Sequence, residues 1–129
     1  MSQENVRVVA AAYEALASSG LEAFADHWAD DIEWQAMRGR WHGRQAGCAY
    51  LQEWFDMFDE FNGDVVGLTD APNEQVVTYL RYSGRAKRSG LKVPPEYFAI
   101  VIEVRAGKIA RAQEYATRAE ALEAVGLRD

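Results

Sequence analysis

The hydrophobic period of this chain changes once, near residue 62, and that change constrains the fold more than any other feature. Up to Phe61 the apolar side chains recur at helical spacing, and from Asp64 to Tyr115 they alternate. The charge changes at the same place: residues 1–64 carry −8 and residues 65–129 carry +2. Helices followed by a run of antiparallel strands predict an α+β domain with helices on one face of a curved sheet, not alternating βαβ units. At 129 residues the chain is expected to form a single domain, 1–129.

The helical half predicts three helices. A first helix is expected from a cap at Ser2, with the stripe Val6, Val9, Ala10, Tyr13, Leu16 and Ala17, ending at Gly20. A second is expected at 21–28, burying Leu21, Phe24 and Trp28, followed by a turn at Ala29-Asp30-Asp31. Residues 32–36 alternate as a short strand, and 38–43 read as a loop. The third helix is expected from Arg44 to Phe61, where Cys48, Leu51, Trp54, Phe55 and Phe58 share one face and Asn62-Gly63 ends it.

The second half predicts strands at 64–69, 75–87, 91–105 and 108–115, with Pro94-Pro95 marking an edge, a bulge or a kink. Thr117 and Glu120 form a capping-box pattern for a last helix stopped by Gly126. The strand at 91–105 is apolar on both faces, at Phe98, Ile100, Ile102 and Val104 and at Tyr97, Ala99 and Val101. Either a second copy of the chain or the last helix must cover the second face, and a homodimer is the expectation.

Composition excludes several classes. A net charge of −6 argues against a general nucleic-acid or membrane-surface binder. The basic run from Arg81 to Lys92 reads as a solvated hairpin tip. One cysteine, Cys48, allows neither an internal disulfide nor a cysteine-cluster zinc site, and the histidines have no metal-ligand spacing. No apolar stretch is long enough to span a membrane and no signal sequence is evident, so the expected compartment is the cytoplasm. No metal or cofactor is expected.

Several strings together carry a resemblance. They are VVAAAYEAL around Tyr13, FADHWADDIEW (24–34), Trp41-His42-Gly43, the long strand pair with Ser89-Gly90, Gly107-Lys108-Ile109, and YATRAEALEAVGL (115–127). In these the chain resembles the SnoaL-like branch of the nuclear transport factor 2-like superfamily, which includes ketosteroid isomerases and polyketide cyclases. The resemblance implies a cone-shaped curved antiparallel sheet, N-terminal helices on its concave face, a cavity between them, and a dimer. It also implies that Tyr13 occupies the position of the isomerases' helix-one tyrosine. Their base and second aspartate fall on Ala36 and near Ile100, so steroid isomerisation by the usual aspartate mechanism is rejected.

The candidate chemical groups are then Glu114, Tyr13 and His42. The resemblance implies that the face of Glu114 looks toward the cavity mouth, and Ala110 and Ala112 share that face, so its carboxyl is expected to be desolvated, as a proton-transfer group or as a structural partner. Tyr13 fits either the core stripe or a hydrogen-bond donor to a ligand. His42 fits either a proton-exchanging loop residue or a packed or solvated one. Trp28, Trp34, Trp54, Phe58, Tyr82, Phe98 and Ile100 are the expected lining of a cavity for a small apolar or aromatic ligand. Two functions follow: a cofactor-free isomerase, cyclase or dehydratase, or a ligand-binding or dimerisation module without chemistry.

Overall fold

A computed structural model describes residues 2–128, apart from the Ser2 side chain, so the cap expected at Ser2 lies outside the described residues. The elements run α1 (Ser2–Ser19), α2 (Leu21–Ala25), β1 (Trp28–Ala36), β2 (Gly39–His42), α3 (Arg44–Phe55), β3 (Phe58–Ala71), β4 (Gln75–Ala86), β5 (Lys92–Arg105), β6 (Lys108–Tyr115) and α4 (Arg118–Ala124). The strands form one curved, unclosed six-stranded sheet in the order β2-β1-β6-β5-β4-β3. The fold class is the α+β expected. One strand pair is parallel, β1 with β6, because β1 returns to the sheet from the helical half, and the other four pairs are antiparallel.

The helices α1–α3 lie over one face of the sheet. Their buried residues Val9, Ala12, Phe24 and Leu51 meet Ile32, Trp34, Val76, Leu80, Ile100, Ile102, Ile109 and Ala112 in the main core. On the opposite face Ala121 and Leu122 of α4 cover Val77, Ala99 and Val101. The two-sided apolar character of β5 is therefore met in part within the chain. Tyr97, further along the same face, stacks on Tyr79 and stays 48% exposed. Thr117 caps α4 by accepting the Glu120 N–H at 3.1 Å.

Four boundaries differ from expectation, each for a physical reason. Helix α2 stops at Ala25, because the next turn tightens to His27 N–H on the Phe24 carbonyl and the His27 carbonyl then accepts from Ile109 of β6. Trp28 to Asp31 therefore open β1 and do not form a helix end and a turn. Residues 39–42, read as a loop, pair with β1 as β2, which is too short to show a period. Helix α3 ends at Phe55, and Phe58 lies on β3. Register shifts between Phe58 and Glu60, so an extra residue separates Phe58 from Phe61 and both rings reach Trp54 and Tyr82. That bulge imitates helical spacing in the sequence. A second register shift, between Tyr82 and Gly84, falls opposite Pro94-Pro95, which have no amide hydrogens for the ladder.

Candidate functional site

Between α1–α3 and the sheet lies a cavity of about 1120 Å³, partly open to solvent. One end is a cluster of edge-to-face rings, with Trp54 5.1–5.3 Å from Phe55, Phe58, Phe61 and Tyr82. Phe98 adds a further edge contact to Tyr82 at 5.8 Å. Glu114 lines the same cavity.

Glu114 owes its place to register. It stands directly opposite Ile100 on β5, and Ala112, two residues earlier, is fully buried on the same face. Trp34 Nε1 donates to Glu114 Oε2 at 2.8 Å, and the Tyr50 hydroxyl donates to the same oxygen at 2.9 Å. Among the described residues no group donates to Oε1. Burial raises the Glu114 carboxyl above the usual carboxylate range, and the two donated hydrogen bonds oppose that rise without cancelling it. Tyr50 and Tyr13 both have hydroxyls pushed upward, first by burial and then by the charge of Glu114, so both are neutral donors.

Of the expected residues, the cavity brings together Glu114, Tyr13, Trp34, Trp54, Tyr82, Phe98 and Ile100. Three others lie elsewhere. Trp28 is buried behind the wall, 5.6 Å from Trp34 and 5.4 Å from Phe24. Phe58 packs on Trp54 and Phe61 as part of the ring cluster but does not itself reach the lining. His42 faces solvent, with Nδ1 3.1 Å from Glu33 Oε1. The strand β2 explains this: its alternation turns Trp41 inward and His42 outward.

Tyr50 was missed. It lies four residues before Trp54 on α3, and that spacing was the available signal, since both share a helix face. Ile100 and Ala36 supply no acid, and among the described lining carboxylates Glu114 is the one that accepts from Trp34 and Tyr50. The other charged lining residues are Glu14, Asp64, Glu96 and Arg81, and Arg81 is ion-paired with Asp64. Among the described residues no three His, Cys, Asp or Glu side chains are grouped to hold a metal ion, and no helix is long and apolar enough to cross a membrane.

The SnoaL-like domain family matches residues 9–112. No curated protein matches the chain. Among solved structures, it is similar to a nuclear transport factor 2-like protein from Burkholderia thailandensis E264, with 23% identity over 93% of this chain and 95% of that one and a TM-score of 0.78. A nuclear transport factor 2-like protein of unknown function from Burkholderia pseudomallei K96243 gives 19% identity, 98% and 99% coverage and a TM-score of 0.77. A protein described as a SnoaL-like polyketide cyclase from Jannaschia sp. CCS1 gives 13% identity, 100% and 96% coverage and a TM-score of 0.78. At these identities the likeness is one of fold.

Proposed function

The chain belongs to the SnoaL-like domain family, and from that premise we propose that it binds a small aromatic or apolar molecule and transfers a proton on it through Glu114. The observation that carries this is the Glu114 carboxylate in a ring-lined cavity, with both protein donors on Oε2 and Oε1 left for a ligand. The reaction class is isomerisation, cyclisation or dehydration. Glu114 takes a proton from one atom of the substrate and returns it to another, so no electrons are gained or lost. Its raised pKa brings it toward the operating pH, which suits an acid–base group. Tyr13, partly buried in the same cavity and tilted on Phe24 at 4.9 Å, is placed to donate to oxygen as negative charge develops there. No cofactor is needed for such a step.

The lining restricts the ligand further. With Arg81 held by Asp64, no described lining residue offers an unpaired cation to a carboxylate or phosphate, and Glu114 would repel one. A neutral ring system fits. A homodimer belongs to this reading, with the exposed Tyr97, which stacks on Tyr79 at the edge of the α4-covered face, as part of its surface. A monomeric mass by light scattering at micromolar concentration would remove the dimer and leave the cavity reading untouched.

The test has two steps. A screen of neutral aromatic and polyketide-like compounds, read by tryptophan emission and melting temperature, is expected to yield binders, and none at all would overturn the reading. With a turned-over ligand in hand, Glu114→Gln is expected to abolish turnover while binding persists. Unchanged turnover would show that Glu114 is not the proton-transfer group.

A further inference from the structure

Trp41 is a large ring with a narrow use. It does not line the cavity and is not part of either buried core cluster. Its ring lies face to face with Tyr50, centroids 4.1 Å apart and planes 18° apart. Tyr50 in turn donates its hydroxyl to Glu114 Oε2 at 2.9 Å. The backbone has made room for this arrangement: a Cβ added at Gly39 would sit 2.7 Å from the Trp41 ring. Gly39 and Trp41 are two residues apart on β2 and so share a face. Trp41 is also the direct cross-strand partner of Trp34, the second donor to the same oxygen. One short hairpin thus supplies one donor itself and braces the other.

We propose that Trp41 is a positioning residue: lying over Gly39, its indole fixes the Tyr50 ring so that Tyr50 and Trp34 together hold Oε2, leaving Oε1 as the oxygen that exchanges a proton with the bound molecule. Tyr50 is partly buried against the main core, the Trp41 stack adds the face contact that sets its ring plane, and a hydrogen bond to a carboxylate weakens steeply with misalignment. The brace sets both the direction from which a substrate proton must arrive and the basicity of the carboxylate that takes it. This inference rests on the reading of Glu114 as the proton-transfer group, but its test needs neither ligand nor turnover.

The experiment is a titration of the Glu114 carboxyl in the full chain by carboxyl-carbon NMR, with the Glu114 signal assigned by its absence in Glu114→Gln. Tyr50→Phe removes one donor to the charged form, so the Glu114 pKa is expected to rise. Trp41→Leu is expected to raise it in the same direction by a comparable amount. In the Tyr50→Phe background Trp41→Leu is expected to add nothing, because both act through one hydroxyl. Trp41→Phe, which keeps a stacking ring, is expected to restore most of the parent value. Should Trp41→Leu fail to fold, Gly39→Ala displaces the same ring by a single methyl group and is expected to raise the Glu114 pKa likewise.

Two results overturn the proposal: a Glu114 titration unmoved by Trp41→Leu or Gly39→Ala in a folded protein, or an equal shift with and without the Tyr50 hydroxyl. Loss of the parent reading looks different. In that case the titrations behave as described, and Glu114→Gln leaves turnover intact.

Discussion

Trp34 Nε1 lies 2.8 Å from Glu114 Oε2, so a fully buried indole on the first strand anchors a carboxylate on the last. The two residues are 80 positions apart and become neighbours only through the parallel pairing of β1 with β6, in which Trp34 stands opposite Ala112. A carboxylate held this way still pays for its burial, and that has consequences for stability.

The pKa of Glu114 is raised in the fold by burial, against two hydrogen bonds that lower it. A raised acid contributes stability that is complete below its unfolded value and is lost as pH rises through the folded value. Glutamine keeps an acceptor oxygen for Trp34 and Tyr50 and carries no charge. Glu114→Gln is therefore expected to gain in melting temperature relative to the parent as pH rises from about 4 to about 8. Thermal melts across that range check it. A difference between the two proteins that does not vary with pH would mean that burial of the charge costs the fold nothing.

The ring cluster depends on close backbone approach at Gly84. A Cβ there would lie 2.1 Å from the Glu60 carbonyl oxygen, a backbone atom that cannot swing aside. Gly84→Ala is expected to force β3 and β4 apart at the bulge, costing about 1–3 kcal/mol and lowering Tm by about 4–10 °C. Gly67, on the same pair of strands, has nothing within 4 Å of its added Cβ, so Gly67→Ala is expected to melt close to the parent. Equal melting of the two variants would sink the packing argument.

These two sites show how far sequence reaches in this fold. The strands β4, β5 and β6 were legible to within a residue or two because long alternation has few imitators, and Glu114 was legible because its strand neighbours Ala110 and Ala112 are small. The β3 bulge was not. One extra residue gives Phe58 and Phe61 the spacing of a helix face, and the local pattern cannot tell the two apart. His42 was misplaced because four residues of β2 are too few to show which way they alternate. The four-residue spacing of Tyr50 from Trp54 places it on the cavity side of α3, but its hydrogen bond to Glu114 joins it to a partner 64 residues away, which local spacing does not record.

Cys48 packs against the main core from α3, and burial is the first cause of its raised thiol pKa, with Glu22 adding to it and Arg44 opposing it. Reactivity follows the thiolate. Labelling by a disulfide reagent at about pH 8, where a free thiol with a pKa of about 8.5 reacts readily, is expected to be slow in the native protein and fast once it is unfolded. Native labelling as fast as that of a free cysteine peptide would show that the α3 face opens readily at this point.

The charge of the lining gives a prediction about ligands. Glu14, Asp64, Glu96 and Glu114 face the cavity against Arg81, which is already paired with Asp64. At neutral pH a bound carboxylate would share a partly desolvated space with the Glu114 carboxylate, and a repulsion of even 1.4 kcal/mol is a factor of about ten in affinity. 2-Naphthol and 2-naphthoate have the same ring system and differ in charge at pH 7. The naphthol is expected to bind at least about tenfold tighter, read by quenching of tryptophan emission. The gap is expected to narrow as pH falls, because Glu114 and then the naphthoate take up protons and the repulsion disappears. The Glu114→Gln variant is expected to show a narrowed gap already at pH 7. Naphthoate binding as tightly as naphthol at neutral pH would mean that the carboxyl of Glu114 is protonated there or that the ligand sits away from it, and the titration of Glu114 separates those two cases.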